Sequence, residues 1–181
     1  MNSQNALQAE DQNIEPMLKE KIELFAKVAD GVYRGAQPSD DAYPFLKQFG
    51  IKTIVNFRHE RNAIEKERKL VEAAGMKYVS LAWKIFEKPK PEVMDRFFSI
   101  VNDPAEKPVF MHCRRGVERT GVACVLYRMK VEGKTREEAE ALELEPYPVS
   151  FIWKPFVKKR LSEFEQTDII PTAPTARPSS A

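Results

Sequence analysis

Residues 112 to 121 read His-Cys-Arg-Arg-Gly-Val-Glu-Arg-Thr-Gly, so Cys113 is followed six positions later by Arg119, then by Thr120 and Gly121. The apolar run Val109, Phe110, Met111 precedes this stretch, and an apolar segment at helical spacing (Val122, Ala123, Val125, Leu126, Met129) follows it. A loop between a strand end and a helix N-terminus turns successive backbone N–H groups toward one point and adds the positive end of the helix dipole. A phosphate dianion fits such a loop, here made of Arg114, Arg115, Gly116, Val117, Glu118 and Arg119. The same field favours thiolate over thiol at Cys113, which supplies a nucleophile at neutral pH. Arg119 can curl back so that its planar fork grips two phosphoryl oxygens as phosphorus passes in line from the leaving oxygen to sulfur. Thr120 offers a hydroxyl near the sulfur, and Gly116 relieves backbone crowding around the anion. A chance Cys-x5-Arg-[Ser/Thr]-Gly in a chain of this composition arises on the order of once in a few thousand. Cys124 is the contrast: it lies among Val122, Ala123 and Val125 with no basic neighbour, and reads as core.

The elements around the loop alternate short apolar runs with amphipathic stretches, which predicts an α/β sandwich. Asp30-Gly31 suits a hairpin turn between two short strands. Helices are expected over residues 39–49, 62–74, 91–102, 119–132, 135–145 and 149–165, with Thr135 and Glu138 forming a capping box. Strands are expected over residues 52–57, 77–81 and 109–111, and a loop over 82–90. Residues 1–20 are polar and residues 167–181 are rich in Pro, Ser, Thr and Ala, so both read as tails on one domain spanning 21–166.

Composition narrows the function. With 29 Lys and Arg against 27 Asp and Glu over 181 residues, the net charge of +2 is too balanced for a protein that coats nucleic acid. No apolar run is long enough to cross a bilayer. Two cysteines and two histidines, His59 and His112, cannot build a four-ligand zinc site at any usual spacing, so neither a metal nor another cofactor is expected. The N-terminus lacks the basic and apolar regions of a secretory signal, which makes the cytoplasm the default expectation. A secreted or periplasmic location stands if such a signal has been removed, and a monomer is expected.

These residues resemble the signature of the cysteine-dependent protein tyrosine phosphatase superfamily, in its dual-specificity-like branch. The run Val32-Tyr33-Arg34-Gly35-Ala36-Gln37-Pro38, and later Gly50-Ile51-Lys52-Thr53-Ile54-Val55-Asn56-Phe57-Arg58, is similar to the opening of small bacterial and fungal members. The resemblance covers about residues 24–165 and implies a central mixed sheet of four or five strands with helices on both faces. It also implies catalysis without metal, through a cysteinyl-phosphate that water then cleaves. Cys113, Arg119, Glu118, Thr120 and His112 are the catalytic candidates under it. One departure stands out, because the family places an Asp general acid on a loop equivalent to residues 82–90, and the sole acid there is Glu87. Glu118 occupies the position where myotubularin-like and Sac-like lipid phosphatases carry an Asp linked to that role. Glu118 is favoured over Glu87, with a reaction lacking any side-chain acid as the remaining reading.

Arg114 and Arg115 beside Arg119, with Arg58, Arg61, Lys84 and Lys88 in segments the family fold brings near its mouth, predict a strongly positive entrance. Such cations suit an inositol polyphosphate, for example inositol hexakisphosphate, better than a single aromatic ring. The basic pair after Cys113 resembles the loop of fungal and plant inositol pyrophosphate phosphatases, and the His-Cys-x-x-Gly-Val-x-Arg-Thr spelling resembles the phosphatase-like phytases. A protein tyrosine or dual-specificity phosphatase is the alternative, with a phosphoprotein as partner and Trp83, Phe86 and Tyr33 as possible walls. A phosphate-binding module without turnover and a rhodanese-type sulfur transferase are the remaining readings.

Overall fold

The computed structural model describes residues 14–165, with side chains to residue 164. A helix over residues 14–21 (α1) leads into β1 (Ala26–Ala29) and β2 (Val32–Gly35). Then follow α2 (Tyr43–Gln48), β3 (Thr53–Asn56), α3 (Arg61–Ala73), β4 (Lys77–Ser80), α4 (Pro91–Asn102), β5 (Val109–His112), α5 (Glu118–Lys130), α6 (Arg136–Glu143) and α7 (Lys154–Glu165). The strand order is β1-β2-β5-β3-β4, antiparallel only between β1 and β2, so the sheet is mixed and five-stranded.

Successive side chains of a strand leave opposite faces of the sheet, so the central strands feed a core on each face. Ile54 and Phe110 face a core formed with Leu18, Ile22, Leu46 and Val71, from α1 to α3 and the segment following α1. Val55, Val109 and Met111 face the other core, with Phe97, Val125 and Leu161 from α4, α5 and α7. Helices therefore cover both faces, as the resemblance implied. β5 is central and buried throughout, which is why it reads as an unbroken apolar run.

Residues 14–20, expected within a polar tail, are instead helix, with Ile14 and Leu18 buried in the core. Ile14, Leu18 and Ile22 recur every four residues, a helical stripe hidden by the polar residues between them. The tail expected over 167–181 lies outside the described residues. At the other end of the domain, residues 150–153 form a turn rather than the first turn of α7, and Phe151 is 81% exposed. The capping box forms as expected, Thr135 accepting from the Glu138 N–H while the Glu138 carboxylate accepts from that of Thr135.

In the parallel part of the sheet, Gly35 and Asn56 both pair with His112, so β2, β5 and β3 end at one level. Crevices beyond the carboxyl ends of such strands are where open α/β sheets bind ligands.

Candidate active site

Residues 113–117 link the carboxyl end of β5 to the N-terminus of α5, the strand–loop–helix context expected for this segment. The Cys113 thiol is buried, with 1% of the residue exposed. Three contacts fix the loop's shape. Arg34 on β2 donates through Nη2 to the Gly116 carbonyl at 2.8 Å. The Gln37 N–H donates to the Arg114 carbonyl at 3.3 Å, and Arg115 Nη1 donates to Glu118 Oε1 at 3.0 Å. Gly116 has φ +70°, and a Cβ there would lie 2.5 Å from the Gly35 carbonyl, so the tight approach of loop to β2 requires glycine.

Arg119 is anchored at Nη1 alone, which donates to the Phe57 carbonyl at 3.1 Å and the Trp83 carbonyl at 3.4 Å and lies 3.2 Å from His59 Nδ1. Those contacts leave Nε and Nη2 without a partner among the described residues. The Thr120 hydroxyl is fully buried beside the loop, also without a hydrogen-bond partner among the described residues. Gly121 allows α6 to approach, since a Cβ there would meet Leu144 at 2.6 Å.

A cleft of about 240 Å³ opens over the loop, walled by Arg114, Arg115, Glu118 and Arg119 on one side and by His59, Glu60, Lys84, Ile85, Phe86 and Trp153 on the other. Cys113 is not itself a wall. A larger hollow of about 470 Å³ lies between α6 and α7, lined by Leu144, Tyr147 and Val157 among others, and includes no residue of the loop. Size alone therefore does not mark the site; the strand-end loop does.

Of the expected entrance cations, only Lys84 joins Arg114, Arg115 and Arg119 in the cleft. Lys84 is also paired with Glu87 at 3.0 Å. Arg58 turns instead to Gln37 Oε1 at 2.9 Å and Glu60 Oε2 at 3.3 Å, beside a separate small hollow. Arg61 and Lys88 are exposed and outside the cleft walls. The two candidate acids also separate: Glu118 is mostly buried and lines the cleft, whereas the Glu87 side chain is 63% exposed and does not. Glu60, the other carboxyl lining the cleft, is held at about 2. Burial pushes it up, but backbone N–H groups and the Arg58 guanidinium outweigh that. It stays ionised and has no proton to give at working pH.

Of the three aromatic residues considered as walls, Trp83 is core and Tyr33 packs against Phe25 and Phe49. Phe86 does reach the cleft, 51% exposed, with ring centroids 5.7 Å from Trp153 and 6.0 Å from Phe156. Trp153, His59 and Glu60 were not legible as site residues, because they lie 40 to 60 positions from Cys113 or Arg119 and no local motif marks them. Cys124 is fully buried in α5, and burial pushes its thiol up to about 12. Among the described residues, no group of three or more His, Cys, Asp or Glu could hold a metal ion, and no helix is long and apolar enough to cross a membrane.

A five-stranded mixed sheet flanked by helices, with a tight loop from the end of its central strand into a helix, is the protein tyrosine and dual-specificity phosphatase fold. The chain belongs to the family described as PTP-NADK, the DSP-PTPase phosphatase fused to NAD+ kinase, whose model matches residues 12–150. Its fold is that of those phosphatases. The chain is 27% identical over 113 residues to the dual specificity protein phosphatase TpbA of Pseudomonas aeruginosa, covering 62% of this chain and 50% of that protein. It is 31% identical over 108 residues to the inositol diphosphatase DSP3 of Arabidopsis thaliana, covering 56% and 52%. To the probable chloroplastic NAD kinase 2 of rice it is 30% identical over 115 residues, covering 61% of this chain and 11% of that much longer protein. The chain thus spans about half or less of these curated relatives. Among solved structures, P. aeruginosa TpbA superposes with a TM-score of 0.66 at 21% identity, covering 80% of this chain and 85% of that one. The core catalytic domain of the PP-IP phosphatase SIW14 of S. cerevisiae does so at 0.57 and 18%, covering 83% and 96%.

Proposed function

We propose that this chain is a phosphomonoester hydrolase that works through a cysteinyl-phosphate and takes inositol polyphosphates as substrates. The observation that carries the substrate class is the convergence of Lys84, Arg114, Arg115 and Arg119 on one cleft over the loop that Cys113 opens, four cations against the carboxyls of Glu60 and Glu118. Likeness to an inositol diphosphatase points to the same class.

In the proposed reaction the Cys113 thiolate attacks phosphorus while the ester oxygen departs. The loop N–H groups and the free Nε and Nη2 of Arg119 hold the equatorial oxygens. Glu118 gives its proton to the leaving oxygen from Oε2, Oε1 being engaged by Arg115. The resulting Glu118 carboxylate then takes a proton from the water that attacks the cysteinyl-phosphate, releasing inorganic phosphate and restoring the thiolate. Thr120, with its unengaged buried hydroxyl, donates to the sulfur as it leaves.

A second reading has its own observation. Phe86 and Trp153 give the cleft an apolar wall against which a phosphotyrosine ring can stack. Phosphate release by the wild type and by Cys113→Ser from inositol hexakisphosphate, a diphosphoinositol polyphosphate, a phosphotyrosyl peptide and an activated aryl phosphate separates the two. Under the lead reading Cys113→Ser abolishes all release and an inositol ester has the highest kcat/KM. A lead for the peptide would replace it with the second, and release that survives Cys113→Ser would remove the covalent mechanism.

A further inference from the structure

Glu67 looks in sequence like one more charge on the exposed face of α3, yet the residue is 2% exposed. Its Oε1 accepts from Gln37 Nε2 and from the Tyr43 hydroxyl, each at 2.9 Å. Its Oε2 accepts from Asn56 Nδ2 and, at 3.4 Å, from the Tyr78 hydroxyl. Every one of these donors is neutral. Burial and the charge of Glu67 push the phenols of Tyr43 and Tyr78 far above their usual range, so both remain donors. A carboxylate this deep needs a counter-charge, and the group beside it is His112, with Nε2 2.8 Å from Oε1. That approach is bent away from the ideal N–H direction, so its attraction is chiefly one of charge. Burial alone would push Glu67 up, but His112 and the hydrogen bonds hold it below the usual carboxylate range.

The other ring nitrogen of His112, Nδ1, lies 3.3 Å from the Cys113 carbonyl oxygen. Carboxylate and carbonyl oxygens only accept, so a proton on each ring nitrogen is the state that sets no nitrogen lone pair against an oxygen. His112 is fully buried and stacks on Phe110, with 5.7 Å between ring centroids, which fixes its orientation. We propose that Glu67 is a positioning residue for the nucleophile: it holds His112 as an imidazolium beneath the Cys113 peptide, and that fixed charge keeps Cys113 a thiolate before substrate arrives. The charged groups nearest Cys113 along the chain are His112 of β5 and Arg114 of the loop, followed by Arg119 and the Arg115-paired Glu118 in the first turn of α5. Those around His112 are Glu67 from α3, with Tyr43 of α2 and Tyr78 of β4 behind it. Arg58 and Arg68 reach this cluster only through Gln37 and the Tyr78 ring.

The inference takes from the phosphatase reading only that Cys113 is the nucleophile, and alkylation reads that thiol without turnover, so the two can fail separately. The experiment follows iodoacetamide alkylation of Cys113 against pH, locating the adduct by mass spectrometry, in wild type, Glu67→Gln, His112→Gln and the double variant. Glu67→Gln keeps the shape but removes the charge. Its alkylation midpoint is expected to rise by about one pH unit or more, with a roughly tenfold loss of rate at acidic pH. His112→Gln is expected to give a similar rise, and the double variant no more than either alone. A folded Glu67→Gln with the wild-type midpoint overturns the proposal, leaving Glu67 a purely structural residue. If Glu67→Gln does not fold, nitrogen-15 NMR of the wild-type His112 ring decides. Protons on both nitrogens from pH 6 to 8 support the proposal, and a neutral ring there overturns it.

Discussion

Cys113 and Cys124 have the same side chain eleven residues apart, and their surroundings give them opposite chemistry. Burial holds Cys124 as a thiol, at about 12, whereas Cys113 opens the loop between the end of β5 and the N-terminus of α5, a setting that favours thiolate. Native protein at pH 7.5 is expected to take up one alkyl group, at Cys113, by intact-mass and peptide mapping; a second adduct at Cys124 would contradict that. The acids divide in a similar way. Glu118→Gln is expected to lower kcat on an alkyl phosphate by about a hundredfold or more and to spare an activated aryl ester, whose leaving group needs no proton. Glu87→Gln is expected to change neither rate, since Glu87 is largely exposed and is not one of the cleft's walls. Equal turnover of both esters by Glu118→Gln would remove it as the acid. Glu67 carries a pH signature in stability as well. Its folded value is lowered, so its contribution is complete above about 4.5 and is lost as pH falls through the folded value. Urea unfolding at stepped pH should show that acid-side loss in the wild type and less of it in Glu67→Gln.

Among the elements, the loop and the first turn of α5 owe their geometry to what lies beside them rather than to their own propensities. Gly116 is tight against β2 at positive φ, and no flexible side chain there can yield, because the nearest atoms are backbone of Gly35 and Ala36. Gly116→Ala is expected to displace the loop and reduce phosphate release by about two orders of magnitude, a loss typical of reacting groups moved by an ångström. Unchanged kinetics in that variant would mean that the loop can shift without consequence. The capping box of α6 offers a control far from the chemistry: Thr135→Ala should cost about 1 kcal/mol in denaturant unfolding and leave turnover intact.

Across the whole molecule, one buried cluster ties the loop to distant parts of the chain. Arg34, with no exposed surface, bonds Glu143 at 2.7 Å and the Gly116 carbonyl, and its guanidinium lies 3.6 Å from the Tyr147 ring centroid. Arg128 on α5 shares the Glu143 carboxylate at 2.9 Å and also donates to the Val28 carbonyl. β1, β2, the loop, α5 and α6 are thereby held by a few charges, of which Arg34 and Glu143 are buried and Arg128 is partly so. Removing one member leaves the others buried without compensation, so Glu143→Gln is expected to lower unfolding stability by about 3–5 kcal/mol. It should also raise KM, because Arg34 would lose the partner that aims it at Gly116. A shift of less than 1 kcal/mol in the urea midpoint at constant slope would refute that account.

The sequence by itself determined the place of the loop between a strand and a helix and the alternation of strands and helices, because both are written at short range. Six positions separate Cys113 from Arg119, and a period of two or of three to four residues marks each element. Strand boundaries, the hairpin at Asp30-Gly31 and the Thr135 cap follow from the same local rules. What only the tertiary structure decided depends on approach between residues far apart in the chain. Trp153 and Phe86 meet across 67 positions, Arg34 reaches Gly116 across 82, and Glu67 lies under His112 across 45. Glu67 and Arg34 carry charges that sequence reasoning assigns to solvent, and burial beside the right partner turns them into supports for the loop. Arg58 shows the reverse: its charge suited the entrance, but Gln37 and Glu60 lie nearer and hold it elsewhere.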